Sequence, residues 1–153
     1  MTVYTVVPAT MPHVAQIAPR MRDADKAEIW AASHAEPHHA LKTGLAQSTL
    51  CWSGLVDDVP VCMFGVAPLT LLGGTGIVWM LGTAGVQDHA RAFLRRNKTF
   101  IIQMMQRFYR LENWVDARNT LSIRWLRWLG FVIEEAAPYG IERRPFHHFF
   151  MER

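Results

Sequence analysis

The chain has 153 residues, of which 50% are hydrophobic and 19% are charged, and its formal net charge is +3. A chain of this length can bury a substantial core, and this composition excludes a mainly disordered protein. Two cysteines are too few for a disulfide framework, so Cys51 and Cys62 are predicted to be reduced core thiols. No linker-like segment divides the chain, and we expect a single domain over residues 1–153.

Periodicity and capping signals predict the following elements in chain order. A strand is expected over residues 3–7, then helices over 11–18, 24–33 and 38–47, and a strand over 49–55. Strands over 61–67 and 77–83 follow, then a long amphipathic helix that starts near Asp88. A short strand at 114–117, a helix at 119–129 ended by Gly130, and strands at 131–135 and 146–151 close the chain. This order predicts a mixed α/β fold.

The middle of the chain raises the question of a membrane span, because no charged residue lies between Asp58 and Asp88. A membrane-spanning helix needs about 20 mostly apolar residues in one run. Six glycines and two prolines interrupt this segment, so a membrane span is rejected. Runs that are apolar on both faces are instead typical of sheet strands covered by helices.

Charge is distributed unevenly, with net −3 over residues 1–88 and net +6 over residues 89–153. Arg91, Arg95, Arg96 and Lys98 stand in the first turns of the long helix. Free N–H groups and the helix dipole favour phosphate at such a position, although a solvated polar face is the alternative. The basic excess is modest and no basic pattern with interleaved aromatic residues is present, so no specific nucleic-acid partner is expected.

The stretch over residues 119–131 resembles the GCN5-related N-acetyltransferase (GNAT) superfamily. In that family an Asn ends the fifth strand, a small residue follows three positions later, and Gly-Phe closes the next helix. Asn119, Ser122, Gly130 and Phe131 match this spacing. The resemblance implies an α/β (α+β) GNAT-like sandwich, with a mixed, mostly antiparallel sheet of six to seven strands flanked by helices. It also implies acetyl-CoA as a possible cofactor.

A narrower resemblance covers residues 81–83, residues 111–119 with the helix that follows them, and residues 145–149. These strings are similar to the phage internal virion protein A family, which comprises small GNAT-like proteins of short-tailed phages and prophages. The likeness implies a phage-encoded protein in the virion or the host cytoplasm. Its expected partners are other phage virion or assembly proteins, with a host protein as a further possibility.

The GNAT resemblance also implies which residues hold the acetyl donor. Backbone of the fourth strand would pair with pantetheine, and a loop of pattern Gln/Arg-x-x-Gly-x-Gly/Ala would hold the pyrophosphate. Residues 87–92 match this loop at both ends, but Ala90 replaces the first glycine and Asp88 brings a negative charge. Asp88 has a simpler interpretation as the N-cap of the long helix. The predicted cofactor-binding residues are Leu81, Thr83, Gln87, Ala90, Arg91, Ala92, Asn119 and Ser122.

The resemblance implies fewer catalytic residues than donor-binding residues. Similar enzymes carry a Tyr seven positions after the strand-end Asn, as an acid for the leaving thiolate, and here that position is Leu126, which cannot donate a proton. Glu28 lies on the early helix that lines the acceptor side in GNAT proteins and is the predicted general base, with a solvated helix residue as the alternative. Adjacent histidines on a strand point to opposite faces, and no metal site is predicted.

Two functions therefore remain open. Ala90, Asp88 and Leu126 indicate an impaired acetyl-CoA site and favour a protein that uses the fold as an interaction scaffold. The resemblance to the phage family implies that this scaffold is virion- or assembly-associated. Asn119, Ser122 and the basic helix start are compatible with an active N-acetyltransferase. Its acceptor would be an amine of a host or phage protein, or of a small molecule.

Overall fold

The computed structural model describes residues 1–153 and contains eight strands and six helices. The strands are β1 Tyr4–Pro8, β2 Leu50–Val56, β3 Val59–Pro68, β4 Thr75–Gly82, β5 Arg110–Asp116, β6 Val132–Ile133, β7 Ala137–Tyr139 and β8 Arg144–Glu152. The helices are α1 Met11–Ile17, α2 Asp23–Ser33, α3 Pro37–Gln47, α4 Ala84–Asp88, α5 Ala90–Arg107 and α6 Thr120–Leu129. A short 3-10 turn, Ala18–Arg20, extends α1.

All eight strands belong to one sheet, in the order β1-β2-β3-β4-β5-β8-β6, with β7 also paired to β8. Every pairing is antiparallel except that of β4 with β5. The predicted fold class, a mixed and mostly antiparallel sheet flanked by helices, is confirmed. The sheet has one strand more than the predicted six to seven, because the three residues of β7 add to its edge.

The parallel pair separates after a short contact. Only residues 75–77 of β4 pair with residues 110–112 of β5, although both strands continue for several residues beyond. The carboxyl ends of these two strands are therefore apart, and the gap between them lies in the middle of the sheet.

Helices cover both faces of the sheet and bury two separate apolar clusters. On one face, α1 and α3 bury Val14, Ile17 and Leu41 against Met63 of β3 and Leu81 of β4. On the other face, α5 and α6 bury a larger cluster that contains Phe93, Met104, Ile123 and Trp125. The uncharged segment supplies β3 and β4, as predicted, because strands at the centre of a sheet are covered on both faces. No helix has the length and apolar character that a membrane crossing requires.

The start of the long helix differs from its prediction. Asp88 is the last residue of α4, and the N-cap of α5 is His89, whose side chain makes no capping hydrogen bond. The prediction that Asp88 caps the long helix is therefore wrong. Thr83 is the N-cap that has a side-chain bond in this region, since its Oγ1 accepts a hydrogen bond from the Gly85 N–H at 3.1 Å.

The turn after β7 docks on α2 and holds Tyr139 in place. The N–H of Ile141 donates to the Ala32 carbonyl at 3.0 Å, and Gly140 has a φ of +76°. A Cβ atom on Gly140 would lie 2.7 Å from Ala32 Cα, whereas one on Gly130, φ +104°, would meet only Met151 Cε, at 3.5 Å. Both positions have a left-handed backbone, which glycine adopts without strain, but only Gly140 also lacks room for a Cβ atom.

These two glycines form a matched pair for a stability measurement. Gly130→Ala should lower the free energy of unfolding by about 1 kcal/mol, because alanine is strained at positive φ. Gly140→Ala should lower it by about 2–4 kcal/mol, since overpacking against the α2 backbone adds to the same strain. Urea denaturation of both variants measures the difference. Equal losses would show that the contact of this turn with α2 is not tight.

Candidate active site

A cavity of about 380 Å³ occupies the gap between β4 and β5 and reaches both faces of the sheet. Residues of α2 and α3, with Trp79, Trp114 and Tyr139, line it on one face, and residues of α5 and α6 line it on the other. Most of these side chains are apolar, and a few polar groups converge on the cavity, among them Glu28 and Asn113. A largely apolar cavity with few polar groups is the usual form of a ligand site.

The backbone of β4 faces this cavity at every second residue. Pairing with β3 uses the N–H and C=O groups of Ile77, Trp79 and Leu81, so those of Val78, Met80 and Gly82 point toward β5. The Val78 carbonyl accepts a hydrogen bond from Asn113 Nδ2 at 2.7 Å. Met80 lies beyond the last paired residue of β4 and has no strand neighbour on that side. Its N–H and carbonyl are therefore placed to bind a ligand.

The backbone groups of Gly82 are bound by the start of α2. The Gly82 N–H donates to Asp25 Oδ2 at 2.9 Å, and the Arg22 N–H donates to the Gly82 carbonyl at 2.8 Å. Asp25 is 3% exposed, and its other oxygen accepts a hydrogen bond from Arg22 Nη1 at 3.1 Å. The first turn of α2 thus bridges the end of β4, where strand pairing has stopped.

Asn119 connects this bridge to β5. Its Nδ2 lies within hydrogen-bond distance of Asp25 Oδ1, at 3.3 Å, and of Glu28 Oε1, at 3.4 Å. Its Oδ1 accepts a hydrogen bond from Arg22 Nη2 at 3.4 Å. Glu28 Oε1 also accepts a hydrogen bond from the Asp116 N–H at 2.8 Å. Asp25 therefore binds the end of β4 and Glu28 binds the end of β5, and the buried amide of Asn119 lies between the two carboxylates.

Glu28 is poised to exchange a proton near neutral pH. The pKa of its carboxyl group is raised from 4.5 to about 7, first by burial and in smaller part by the neighbouring carboxylates of Asp25 and Asp116. The hydrogen bonds from the Asp116 N–H and from Asn119 lower the pKa, and their effect is smaller than that of burial. A carboxylate at this pKa can accept a proton at physiological pH and release it again.

The other two carboxylates each have an arginine. Burial raises the pKa of Asp25, while Arg22, the Gly82 N–H and Asn119 oppose that shift. For Asp116, burial alone would raise the pKa, but hydrogen bonds from Arg118, one of them 2.6 Å long, lower it below its ordinary value. Of the three, Glu28 alone has no arginine bonded to it. Glu28 is therefore the group of this cluster that titrates near pH 7.

A second concave surface lies at the start of α5. It is lined by residues 87–92 with Tyr4 and Arg95, and the Tyr4 hydroxyl lies 2.8 Å from His89 Nδ1. The first N–H groups of a helix have no acceptor within the helix, and Arg91 and Arg95 are exposed beside them. Asp88 is exposed at the same surface, so the local charge is positive but reduced. The surface has the chemistry of a phosphate site.

The predicted site residues fall into three places. Glu28 and Asn119 meet in the polar cluster, and Leu81 and Ser122 line the cavity. The predicted loop residues Gln87, Ala90, Arg91 and Ala92 line the second concave surface. Thr83 is buried, and its N–H and Oγ1 both donate to the Val61 carbonyl. The backbone of Leu81 pairs with Met63, so the free groups of β4 are those of Met80 instead.

Several residues of the site were not predicted. Asp25 stands three residues before Glu28 on α2, a spacing that places both carboxylates on one helix face and could have been noticed. Asn113 and the stacked rings of Trp114 and Tyr139, with centroids 4.5 Å apart, gave no local signal. Leu126 lines the cavity on the α6 side and offers no proton. No group of three or more His, Cys, Asp or Glu side chains is arranged to hold a metal ion.

Comparison with solved structures identifies the fold. The yncA protein of Salmonella typhimurium, solved with its cofactor acetyl-CoA, superimposes with a TM-score of 0.73 at 15% identity, over 97% of this chain and 93% of that one. The spermidine N-acetyltransferase of Vibrio cholerae, in complex with CoA and spermine, gives 0.72 at 9% identity, over 97% and 95%. A GNAT-family acetyltransferase of Bacillus anthracis gives 0.72 at 10% identity, over 99% and 98%.

At these identities the likeness establishes the GNAT fold and leaves the reaction open. The sequence matches no protein-family model and none of the curated proteins. Nothing in the comparisons supports the narrower resemblance to phage internal virion proteins.

The shifted pKa of Glu28 predicts how stability depends on pH. Its pKa is about 7 in the folded chain and 4.5 as its ordinary value. The folded state therefore holds more protons between these two pH values, and stability falls as pH rises through this window. Glu28→Gln removes this titration. Between pH 5 and pH 8, the free energy of unfolding of the variant should therefore rise by about 2–3 kcal/mol relative to that of the original chain.

Urea denaturation of both proteins at several pH values measures this gain. Asp23→Asn is the control, because Asp23 is exposed on the same helix and this variant keeps Glu28. A constant difference between Glu28→Gln and the original chain would contradict the raised pKa.

Proposed function

We propose that the protein is an N-acyltransferase that moves an acetyl group from acetyl-CoA to an amine. The observation that carries this proposal is Glu28, a carboxylate with a pKa of about 7 at the gap between β4 and β5. An amine must lose a proton before or as it attacks a thioester, and a base with a pKa near 7 can take that proton at physiological pH. The fold is that of proteins solved with acetyl-CoA or CoA.

The residues present fit an acyl-CoA donor. The start of α5 combines helix N–H groups with Arg91 and Arg95, which suits the pyrophosphate. The free N–H and carbonyl of Met80 suit the pantetheine arm and the thioester carbonyl, and the cavity walls around them are mostly apolar. Leu81, Thr83, Gln87, Ala90, Ala92, Asn119 and Ser122 are proposed with them as donor-site residues. Ala90 and Asp88 are expected to weaken phosphate binding at this surface, but the free N–H groups of the helix start remain.

The acceptor would enter on the α2–α3 face. Glu28, Trp79, Trp114 and Tyr139 line the cavity there, so an amine would meet one carboxylate and several aromatic rings. In the proposed reaction the amine nitrogen forms a bond to the acetyl carbon, the carbon–sulfur bond breaks, and Glu28 takes the amine proton. Leu126 supplies no acid, so the sulfur would leave as a thiolate. A thiolate is a weak base, with a thiol pKa of about 8.5, so it can leave without an acid and take its proton from water afterwards.

The scaffold function is retained as the second proposal. In that case the protein would be phage-encoded, its donor site impaired, and its partners other phage virion or assembly proteins or a host protein, in the virion or host cytoplasm. It rests on the sequence resemblance and on the losses at Ala90 and Leu126. The raised pKa of Glu28 favours the acyltransferase, because a scaffold has no need of a half-buried carboxylate that titrates near pH 7.

An acetyl-transfer assay with Glu28→Gln tests the proposed function. With a panel of primary amines and acetyl-CoA, the original chain should show a kcat/KM that rises with pH through an apparent pKa near 7. Glu28→Gln should reduce kcat by about 10²- to 10⁴-fold and abolish that step, because the general base is gone.

Binding of the donor is the control for this assay. Calorimetric titration should give the original chain and Glu28→Gln similar dissociation constants for acetyl-CoA, about 10–100 µM, which corresponds to roughly 5.5–7 kcal/mol. If neither protein binds acetyl-CoA at about 1 mM, the acyltransferase proposal fails and the scaffold function is favoured.

A further inference from the structure

Asn97 is a buried polar residue whose hydrogen bonds are not satisfied within the chain. It lies on the sheet-facing side of α5, is 6% exposed, and lines the cavity between β4 and β5. Its Oδ1 has no hydrogen-bond partner, and its Nδ2 has only the Met80 Sδ, at 3.9 Å. An amide buried in this way destabilises the folded protein, and such a group in a native chain calls for an explanation.

The sequence around Asn97 makes it conspicuous. The residues of α5 that face the sheet are otherwise apolar, including Phe93, Phe100 and Met104. A leucine at position 97 would continue this pattern and would leave no polar atom unpaired. A residue that breaks the local pattern without compensation within the chain is expected where a ligand supplies the compensation.

Asn97 stands between the two ends of the proposed donor site. It follows Ala90, at the start of α5, by seven residues, which corresponds to about 10 Å along the helix. It is also next to Met80, whose backbone N–H and carbonyl face the gap between the strands. The part of coenzyme A that joins its phosphates to its sulfur is the pantetheine arm, which contains two secondary amides. A pantetheine arm that runs from the start of α5 to the Met80 backbone passes Asn97.

We propose that Asn97 binds an amide of the pantetheine arm of the acyl-CoA donor. This inference rests on the proposed function. The side-chain amide pairs with the arm's N–H through Oδ1 or with its carbonyl through Nδ2, and rotation about χ2 selects between them. The Met80 side chain, which is unbranched and flexible, yields the position beside Asn97 when the arm enters. The unpaired polar atom of the free protein is then satisfied in the complex.

Ser53 provides the matched control. Its Oγ is the other buried side-chain oxygen without a partner, and the residue is 0% exposed. Ser53 lies on β2 and is not among the residues that line the cavity. It shares the unsatisfied state of Asn97 and has no place in the proposed donor site.

The experiment combines thermal unfolding with calorimetric titration of coenzyme A and of adenosine 3′,5′-bisphosphate, which lacks the pantetheine arm. Asn97→Leu should raise Tm by about 2–4 °C, because an unpaired buried amide is replaced by an apolar group. It should weaken coenzyme A binding by about 5- to 100-fold and leave binding of the bisphosphate unchanged. Asn97→Met should show the same pattern. Ser53→Ala should leave both affinities unchanged.

The outcomes separate this inference from the proposed function. Coenzyme A affinity that is unchanged in Asn97→Leu and Asn97→Met overturns the inference and leaves the acyltransferase proposal intact. A lower Tm with equal losses for both ligands also overturns it, because Asn97 would then support the fold instead of the arm. If the original chain itself does not bind coenzyme A at about 1 mM, the proposed function fails and this inference fails with it.

Discussion

The hydrogen bond from the Gly82 N–H to the Asp25 carboxylate is the interaction on which the site depends. Two parallel strands that part in the middle of a sheet leave backbone groups without strand partners, and buried groups of this kind must be bonded elsewhere. Here α2 supplies the partners at the end of β4, and Asn113 supplies one at the point of separation. The gap stays open between these two places, where Met80 is left free.

The same arrangement explains why one carboxylate of the cluster differs from the rest. Asp25 accepts a hydrogen bond at the end of β4 and is paired with Arg22. Asp116, at the end of β5, is paired with Arg118. Glu28 lies between them and receives hydrogen bonds only from neutral donors, the Asp116 N–H and Asn119. Burial without a paired cation favours the neutral acid, which is the physical origin of its raised pKa.

The sequence predicted the fold better than it predicted the site. The uncharged run interrupted by glycines and prolines placed β3 and β4, and the GNAT-like stretch that contains Asn119 indicated the sheet. Asp25 and Asn119 are 94 residues apart, so no local pattern could indicate that they meet. The break between α4 and α5 at His89 contains neither Gly nor Pro, and β7 carries a central proline, which weakens a strand signal. Glu28 was predicted through resemblance, whereas its raised pKa arises from tertiary burial and could not be predicted.

The central claim is that the meeting of α2 with the separated strand ends gives Glu28 a pKa near neutrality. Its most direct test is a carboxyl-carbon NMR titration of the chain labelled with ¹³C in its glutamate side chains. The Glu28 signal is identified by its absence in Glu28→Gln. The account predicts a midpoint for Glu28 at about pH 7. A midpoint near the ordinary 4.5 would contradict the account, because Glu28 would then be a solvated carboxylate with no catalytic advantage.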